Sequence, residues 1–207
     1  MTKTYIFVFA IILVIATVSF FVFRGDSVKN LTNYPPKNTT IVAFGDSLVF
    51  GTGSTKGNDF VSLLSRAIFK LIKNLGVPGN TTTQGLARID EVLAQDPGVV
   101  ILLLGGNDYL QRMSRDETFK NLDSIITRLH ASGAMVVLLG VQGSMLGDAF
   151  KKQFEILSEK HNVAYVKNVL DGIKSKDHLM SDRIHPNDVG YAMIAEKIEP
   201  VLSEIIK

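Results

Sequence analysis

The chain has 207 residues, enough for one domain and a terminal appendage, and its formal net charge at pH 7 is +2. Because no basic stripe with interleaved aromatic residues accompanies this near-neutral charge, the composition argues against a nucleic-acid partner. The chain lacks cysteine, which excludes disulfides and thiolate zinc sites, and none of its four histidines belongs to a His-x-x-x-His pair, so we expect no metal site.

The first 24 residues contain an apolar run long enough to cross a membrane. Residues 5–23 are nineteen consecutive residues without a charge, and a helix of that length spans the ~30 Å hydrocarbon core of a bilayer. The run is long for a signal-peptide core, and cleavage after Thr17-x-Ser19 would leave the apolar residues 20–23 on the mature end. We therefore expect residues 1–24 to be an uncleaved membrane anchor, with the rest of the chain on the extracytoplasmic (periplasmic or cell-surface) side. The alternative is a cleaved signal that releases a secreted or periplasmic protein.

Residues 25–38 form a polar stretch that contains Pro35-Pro36. This composition is typical of a linker. The remaining residues, 39–207, have the length of one ordinary domain. We therefore expect an anchor, a tether and a single folded domain.

From residue 39 onward, short strand-like runs alternate with helical periods. Strands are predicted over residues 40–44, 99–104, 135–139 and 163–166. Helices are predicted over residues 59–67, 84–94, 117–131, 149–161 and 187–206. The stretch 68–75 fits either a continued helix or a strand, and right-handed βαβ winding favours the strand. This alternation predicts an α/β domain with a parallel sheet.

The first predicted strand ends at a candidate nucleophile. Its apolar run stops at Gly45, and Ser47 follows where a helix could begin. A serine between a strand's carboxyl end and a helix start presents its hydroxyl at the edge where open α/β sheets bind ligands. The same tripeptide occurs as Gly25-Asp26-Ser27, but no strand, turn and helix surround it, so we expect that copy to have no such role.

A second candidate pair lies before the last predicted helix. Asp182 and His185 are three residues apart on a loop that Pro186 holds extended. The carboxylate can accept the imidazole's Nδ1–H and leave Nε2 free as a base for a serine hydroxyl. Alternatively, Asn187 or Asp188 caps the helix and His185 is an ordinary surface residue.

Two further loops can supply hydrogen-bond donors. Asn107 follows a strand that ends in Gly105-Gly106, and its amide could donate to a developing oxyanion. Gly79, in the loop after the ambiguous 68–75 stretch, has a backbone N–H that no Cβ obstructs. Both loops also have the composition of simple turns, which is the alternative reading of each.

Taken together and in this order, Gly-Asp-Ser-Leu at 45–48, the glycine at 79, Gly-Gly-Asn-Asp at 105–108 and Asp-x-x-His-Pro at 182–186 resemble the SGNH (GDSL-type) hydrolases. The chain is most similar to the bacterial branch that includes acyl-CoA thioesterase I, lysophospholipase L1 and the arylesterases. The resemblance implies a three-layer, flavodoxin-like α/β/α sandwich with a five-stranded parallel sheet. It also implies a serine esterase that needs no cofactor and forms an acyl-enzyme.

At matching positions, the resemblance makes Ser47 the nucleophile, His185 the base and Asp182 its orienting partner. The oxyanion hole would consist of the N–H groups of Ser47 and Gly79 and the side chain of Asn107. Apolar or aromatic residues near these positions are candidates for the acyl-binding surface, namely Leu48, Tyr109, Met145 and Leu146. We expect a monomer that acts on a small acyl ester or lipid.

The sequence departs from this branch at two places. Pro78 and Asn80 flank Gly79 where the branch more often has Ser and Asp, and the loop 141–148 is shorter than its thioesterase counterpart. These differences leave open the acyl-chain preference and thioesterase activity itself. A carbohydrate O-deacetylase of the cell envelope, a non-catalytic binding domain on the same fold and a tethered scaffold protein remain the alternatives.

Overall fold

The computed structural model describes residues 28–141 and 147–207. The predicted anchor over residues 1–24, together with Met145 and Leu146, lies outside the described residues. Within the described ranges, no helix has both the length and the apolar character needed to cross a bilayer.

Five parallel strands form one sheet in the order β2-β1-β3-β4-β5, which confirms the predicted five-stranded parallel α/β sheet. The strands are β1 (Ile41–Gly45), β2 (Ile72–Gly76), β3 (Val99–Leu103), β4 (Met135–Leu139) and β5 (Ala164–Val166). Every residue of β1, β3 and β4 is buried. Continuous apolar strands of this kind are typical of a parallel sheet covered on both faces. The edge strand β2 carries exposed residues instead.

Helices connect the strands, and most begin within two residues of their predicted starts. They are α1 (Ser47–Phe50), α2 (Phe60–Ala67), α3 (Thr82–Ala87), α4 (Ile89–Leu93), α5 (Gly106–Leu110), α6 (Arg115–Ala131), α7 (Gly147–His161) and α8 (Asp188–Ile205). Helices α2 and α8 pack together on one side of the sheet, and α3, α6 and α7 pack in a row on the other. Right-handed crossovers produce this division, because the chain reverses direction across the sheet after β2.

Two predicted elements differ from the structure. The single helix expected over residues 84–94 is two helices, α3 and α4, separated at Arg88, whose φ of −109° and ψ of 15° leave the helical region. The helix also begins earlier, because Thr81 and Gln84 form a capping box that satisfies its first amides. In the ambiguous stretch 68–75, the strand begins only at Ile72, since Phe69 occupies a turn with a φ of +53°.

The described part of the predicted linker, residues 28–38, packs against the amino-terminal end of the sheet. Thr32 Oγ1 donates to the carbonyl of His161 at 2.8 Å. Asn33 Nδ2 donates to the carbonyls of His130 and Ala134 at 2.9 and 3.0 Å, at the end of α6 and the start of β4. The chain therefore enters the domain at the end opposite to the carboxyl ends of the strands.

Candidate active site

Ser47 is the first residue of α1, directly beyond the carboxyl end of β1. A side chain at Gly45 would meet the carbonyl oxygen of Leu103 on the neighbouring strand at 2.2 Å, so only glycine allows the sheet to close here. Asp46 then caps α1 by accepting the N–H of Leu48 at 2.9 Å. The strand end and this cap hold Ser47 at the carboxyl edge of the sheet, where it is 8% exposed.

The side chains of Ser47, His185 and Asp182 form one continuous chain of hydrogen bonds. His185 Nε2 lies 2.9 Å from Ser47 Oγ, although the two residues are 138 positions apart. On the other side of the ring, His185 Nδ1 lies 2.7 Å from Asp182 Oδ2. With Nδ1 protonated, Nε2 carries the lone pair that can accept the serine proton.

The loop that carries Asp182 and His185 is held by its own backbone. The N–H of Ser181 donates to the carbonyl of His185 at 2.8 Å, and Met180 and Pro186 form an antiparallel bridge. Asn187 caps α8, as the alternative reading of this loop proposed. That cap does not leave His185 on the surface, because its side chain is only 17% exposed and faces Ser47.

Asp182 is electrostatically suited to remain ionised. It accepts hydrogen bonds from the His185 ring, from the His185 N–H at 2.8 Å and from the Ile184 N–H at 2.7 Å. These bonds favour the carboxylate and lower the pKa of Asp182 to about 2. The carboxylate can therefore stabilise an imidazolium at His185 over a wide range of pH.

Asn107 connects the loops that carry the other two candidate oxyanion donors. Its Nδ2 donates to the carbonyl of Asn80 at 2.9 Å and lies 3.4 Å from Asp46 Oδ2. It thus bridges the residue after Gly79 and the residue before Ser47. Within the described residues, the N–H groups of Ser47 and Gly79 donate no hydrogen bond. The five residues predicted for the triad and the oxyanion hole lie in loops or helix starts at the carboxyl edge of the sheet.

Gly79 has a conformation and surroundings that suit a donor loop. Its φ of +82° lies in the left-handed region that favours glycine. Nothing lies within 4 Å of the position that a Cβ would occupy there. The space beside the Gly79 backbone, where a side chain would otherwise lie, is therefore empty of atoms from the described part of the chain.

Residues 43–193 match the model of the GDSL-like lipase/acylhydrolase family. The chain belongs to this family, the SGNH hydrolases. It is 29% identical to the esterase TesA of Pseudomonas aeruginosa, with 81% of this chain and 89% of that protein aligned. It is also 29% identical to an arylesterase of Vibrio mimicus, over 81% and 88% of the two chains. A crystal structure of TesA superposes with a TM-score of 0.76 and 29% identity, covering 81% of this chain and 99% of the other. This SGNH hydrolase is accordingly an enzyme that acts on ester bonds.

Arg88 is a supporting residue that the sequence did not single out for this role. Its guanidinium donates to the carbonyls of Gly45 and Leu75 at 2.8 and 2.9 Å and to Asn80 Oδ1 at 2.6 Å. It also lies 4.4 Å from the centre of the Phe44 ring. Burial lowers the pKa of Arg88, but nearby Glu91 opposes that effect. Arg88 thus ties the ends of β1 and β2 to the loop that carries Gly79.

Two buried carboxyl groups complete the polar network of this SGNH hydrolase. Asp108 is fully buried and accepts from both the N–H and the hydroxyl of Thr82, which joins α5 to α3. Asp46 lies beside the nucleophile position, and burial raises its pKa to about 7. The charge of Asp108 adds to this rise, whereas the Leu48 N–H and His185 oppose it. Asp46 therefore titrates near neutral pH within reach of both Ser47 and Asn107.

A cleft of about 270 Å³ lies against Ser47 and Asn107. Of the four predicted acyl-binding residues, Leu48 and Tyr109 line it, and Met145 and Leu146 are outside the described residues. Leu110 and Val141 also line it, in the segments 109–112 and 141–148 that the sequence indicates as borders of the acyl pocket. Sequence reasoning missed the other lining side chains, which are Leu170, Lys174, Arg183 and Ile184. Arg183 and Ile184 occupy the two unspecified positions of the Asp-x-x-His-Pro motif, and Leu170 and Lys174 follow β5 in a segment without a motif. Among the described residues, no group of three acidic or histidine side chains could hold a metal ion.

Proposed function

We propose that this chain is a serine esterase that hydrolyses acyl esters through Ser47, His185 and Asp182. The observation that carries the proposal is the unbroken hydrogen-bond chain from Ser47 Oγ through the His185 ring to the Asp182 carboxylate. A serine hydroxyl is a weak nucleophile unless a base removes its proton during attack. His185 Nε2, at 2.9 Å, is within reach of that proton.

The proposed reaction has two halves. Ser47 Oγ attacks the acyl carbonyl carbon while its proton moves to His185 Nε2, and the ionised Asp182 stabilises the resulting imidazolium. His185 then returns the proton to the leaving oxygen or sulfur as the bond to the acyl carbon breaks, which leaves an acyl group on Ser47. A water molecule then attacks the acyl carbon while its proton moves to His185 Nε2. The bond to Ser47 Oγ breaks, His185 returns the proton to Oγ, and the carboxylic acid leaves.

The proposed oxyanion hole comprises the N–H groups of Ser47 and Gly79 and one N–H of Asn107. Asn107 keeps its 2.9 Å bond to the carbonyl of Asn80, which fixes the plane of the amide. Its longer, 3.4 Å contact with Asp46 is the weaker of the two and is the one that the oxyanion would replace. A donor fixed in advance stabilises the transition state without reorganisation.

The walls of the cleft support an acyl chain as the bound group. Leucine, isoleucine, valine and tyrosine side chains form most of the wall beside Ser47, which Lys174 and Arg183 also line. A mainly apolar wall favours an apolar chain over a polar glycan. We therefore place aryl esters, lysophospholipids and thioesters ahead of acetylated polysaccharides. The apolar run over residues 5–23 supports a membrane-tethered enzyme, and we place its domain on the extracytoplasmic side. We also propose that it acts as a monomer.

Covalent labelling tests the proposal directly. A fluorophosphonate should label the full chain, and Ser47→Ala should abolish the label. Ser27→Ala is the matched control, because Ser27 sits in the same Gly-Asp-Ser tripeptide and should not affect labelling. Folded protein that does not label would instead favour a non-catalytic binding domain.

A second experiment identifies the preferred acyl group. It compares the hydrolysis rates of p-nitrophenyl esters of increasing chain length with those of acyl-CoA and lysophospholipid. We expect longer chains to be accepted because the cleft is apolar. If the protein released acetate from acetylated glycans and did not hydrolyse the longer p-nitrophenyl esters, it would be a carbohydrate O-deacetylase instead.

A further inference from the structure

Two large apolar side chains stand in solvent on the turn between α2 and β2, which we call the basal turn (residues 69–71). Phe69 is 94% exposed and Leu71 is 77% exposed, whereas the next most exposed large apolar residue of the described chain is Val189 at 58%. Burying an apolar side chain of this size contributes a free energy several times RT. Because the fold leaves both side chains uncovered, this free energy is available for binding a partner. The hydrophobic core of this domain does not reach them.

Hydrogen bonds hold the basal turn in a defined backbone conformation. Phe69 has a φ of +53°, which a bulky residue rarely adopts. The turn is nevertheless held by hydrogen bonds from the Lys70 N–H to Ser65 O at 3.2 Å and from Ser65 Oγ to Lys70 O at 2.7 Å. The Ile72 N–H also approaches Ser65 Oγ at 3.3 Å. These bonds fix the direction in which Phe69 and Leu71 project.

The charged residues of the segment that carries the basal turn have one sign. Residues 60–76 contain Arg66, Lys70 and Lys73 and no aspartate or glutamate. Lys70 and Lys73 contact neutral oxygens, the Ile206 carbonyl at 3.4 Å and the Gln95 side chain at 2.9 Å, so neither contact neutralises them. Apolar side chains interleaved with cations are the pattern that binds the interface of a bilayer containing anionic lipids.

The basal turn lies at the end of the sheet where the chain enters the domain. It precedes the amino end of β2, and residues 28–38 lie below the amino ends of the other strands. Lys70 and residues 34–36 line one shared cleft of about 250 Å³. Five residue steps separate residue 28 from the apolar run that ends at residue 23, at most ~18 Å of extended chain.

We propose that the amino end of the sheet rests on a phospholipid bilayer, with the basal turn inserted at the headgroup boundary. Phe69 and Leu71 contact the upper acyl chains, and Lys70 and Lys73 face the lipid phosphates. Arg66 points the other way, because its guanidinium donates to the carbonyl of Gly57 at 2.8 Å. The tether that we proposed for residues 5–23 brings this end to the membrane, and the basal turn then sets the orientation of the domain. The inference depends on that tether but not on the esterase chemistry.

This orientation has a consequence for the substrate. The strands are five residues long or shorter, and a five-residue strand extends ~17 Å. Ser47 lies at the other end of β1 and opens away from the bilayer. The enzyme therefore receives its acyl ester from the aqueous side, as a molecule that has left the membrane or never belonged to it.

The chain contains neither tryptophan nor cysteine, so one introduced tryptophan reports on a single position. Phe69→Trp in the full chain, reconstituted in vesicles with anionic lipid, should show blue-shifted emission and strong quenching by lipids brominated near the headgroup. Phe50→Trp is the matched control, because Phe50 is 57% exposed at the opposite end of the sheet. We expect a several-fold greater fractional loss of fluorescence at position 69 than at position 50.

Equal quenching at the two positions, or none at either, would overturn the proposal. Replacing both cations in Lys70→Glu/Lys73→Glu should reduce the quenching of Trp at position 69, and quenching unaffected by this change would also contradict it. Fluorophosphonate labelling of the same Phe69→Trp protein verifies that it is folded. Because labelling depends on Ser47, His185 and Asp182 and not on the basal turn, a failed esterase assignment and a failed membrane orientation give different results.

Discussion

The two ends of the sheet are organised differently, although the same five strands run between them. At the carboxyl end, Asn107 bonds to the carbonyl of Asn80 and contacts Asp46, and these two side chains line a small, mainly apolar cleft. Arg88 supports them from behind by bonding to the Asn80 side chain. At the amino end, Thr32 and Asn33 bond to backbone carbonyls, while Phe69 and Leu71 are left uncovered. Polar side chains thus position reacting groups at one end and fasten the incoming chain at the other.

This contrast predicts that substitutions at the two ends have separable effects. Damage at the carboxyl end should lower kcat, with a change in stability only where a buried polar group loses its partner. Damage at the amino end should change stability or membrane contact and leave kcat intact. Substitutions at each end therefore test this separation.

Removing the proposed base or its partner should have the largest effect. His185→Ala should lower kcat by roughly 10⁶-fold, and Asp182→Asn by roughly 10⁴-fold, as at the corresponding positions of other serine hydrolases. Steady-state rates on p-nitrophenyl acetate measure both. A double variant no slower than His185→Ala would show that the two act as a unit, whereas retention of most activity in either single variant would contradict the proposed mechanism.

Removing the proposed side-chain oxyanion donor should cost less. Asn107→Ala should lower kcat by roughly 10²–10³-fold with little change in KM, because the donor acts in the transition state. The measurement is a full saturation curve on one ester. A rise in KM at constant kcat would assign Asn107 to substrate binding instead.

Arg88 should have an intermediate effect that appears in both activity and stability. Arg88→Met removes the donor to Asn80 Oδ1 and Leu75 O, and Gly45 O keeps only the Val77 N–H. A buried acceptor left unsatisfied costs about 1–3 kcal/mol. We expect a lower free energy of unfolding in urea and roughly a tenfold fall in kcat, because the Asn80 carbonyl no longer fixes Asn107.

Asn80→Asp is the conservative test of the same connection. A carboxylate at position 80 would accept the Arg88 guanidinium in a stronger, charge-assisted bond. We expect this variant to retain kcat and to gain stability. If Arg88→Met and Asn80→Asp were both indistinguishable from the parent in kcat and in unfolding, Arg88 would have no positioning role.

These residues also show which parts of the molecule local sequence patterns can predict. The strands β1, β3 and β4 are uninterrupted apolar runs, and Asp182 and His185 share one short loop, so both could be predicted from neighbouring residues. Arg88 could not, because its carbonyl acceptors lie 43 and 13 residues away. Those contacts exist only because β2 pairs with β1, and strand order is not encoded in any single segment.

The predicted linker illustrates the same limit. Pro35-Pro36 and the polar residues around them have the composition of a tether, yet Thr32 and Asn33 bond to carbonyls 129 and 97 residues further along the chain. Composition reports what a segment can do alone. It does not report which unpaired carbonyls the folded domain will present to that segment.

The smallest predicted effect lies at the amino end and concerns His130. Its Nε2 is buried and has no hydrogen-bond partner among the described residues, and its ring packs edge-on against His161 at 5.8 Å. Burial first, and the charge of His161 second, lower the pKa of His130 to about 4. Asp123 bonds to His161 Nε2 at 2.6 Å and holds that ring in place.

Acid should therefore destabilise the domain through His130. Between pH 6.5 and about 4, the unfolded chain binds a proton at this histidine that the folded protein does not, so the free energy of unfolding falls as the pH is lowered. We expect a loss on the order of 1 kcal/mol, since solvent partly screens a ring that is only about half buried. Urea unfolding of His130→Phe should show a flatter pH dependence over this interval, with kcat at neutral pH unchanged. Equal slopes in the two proteins would contradict the assignment, and a lower kcat in the variant would show that the two ends of the sheet are coupled.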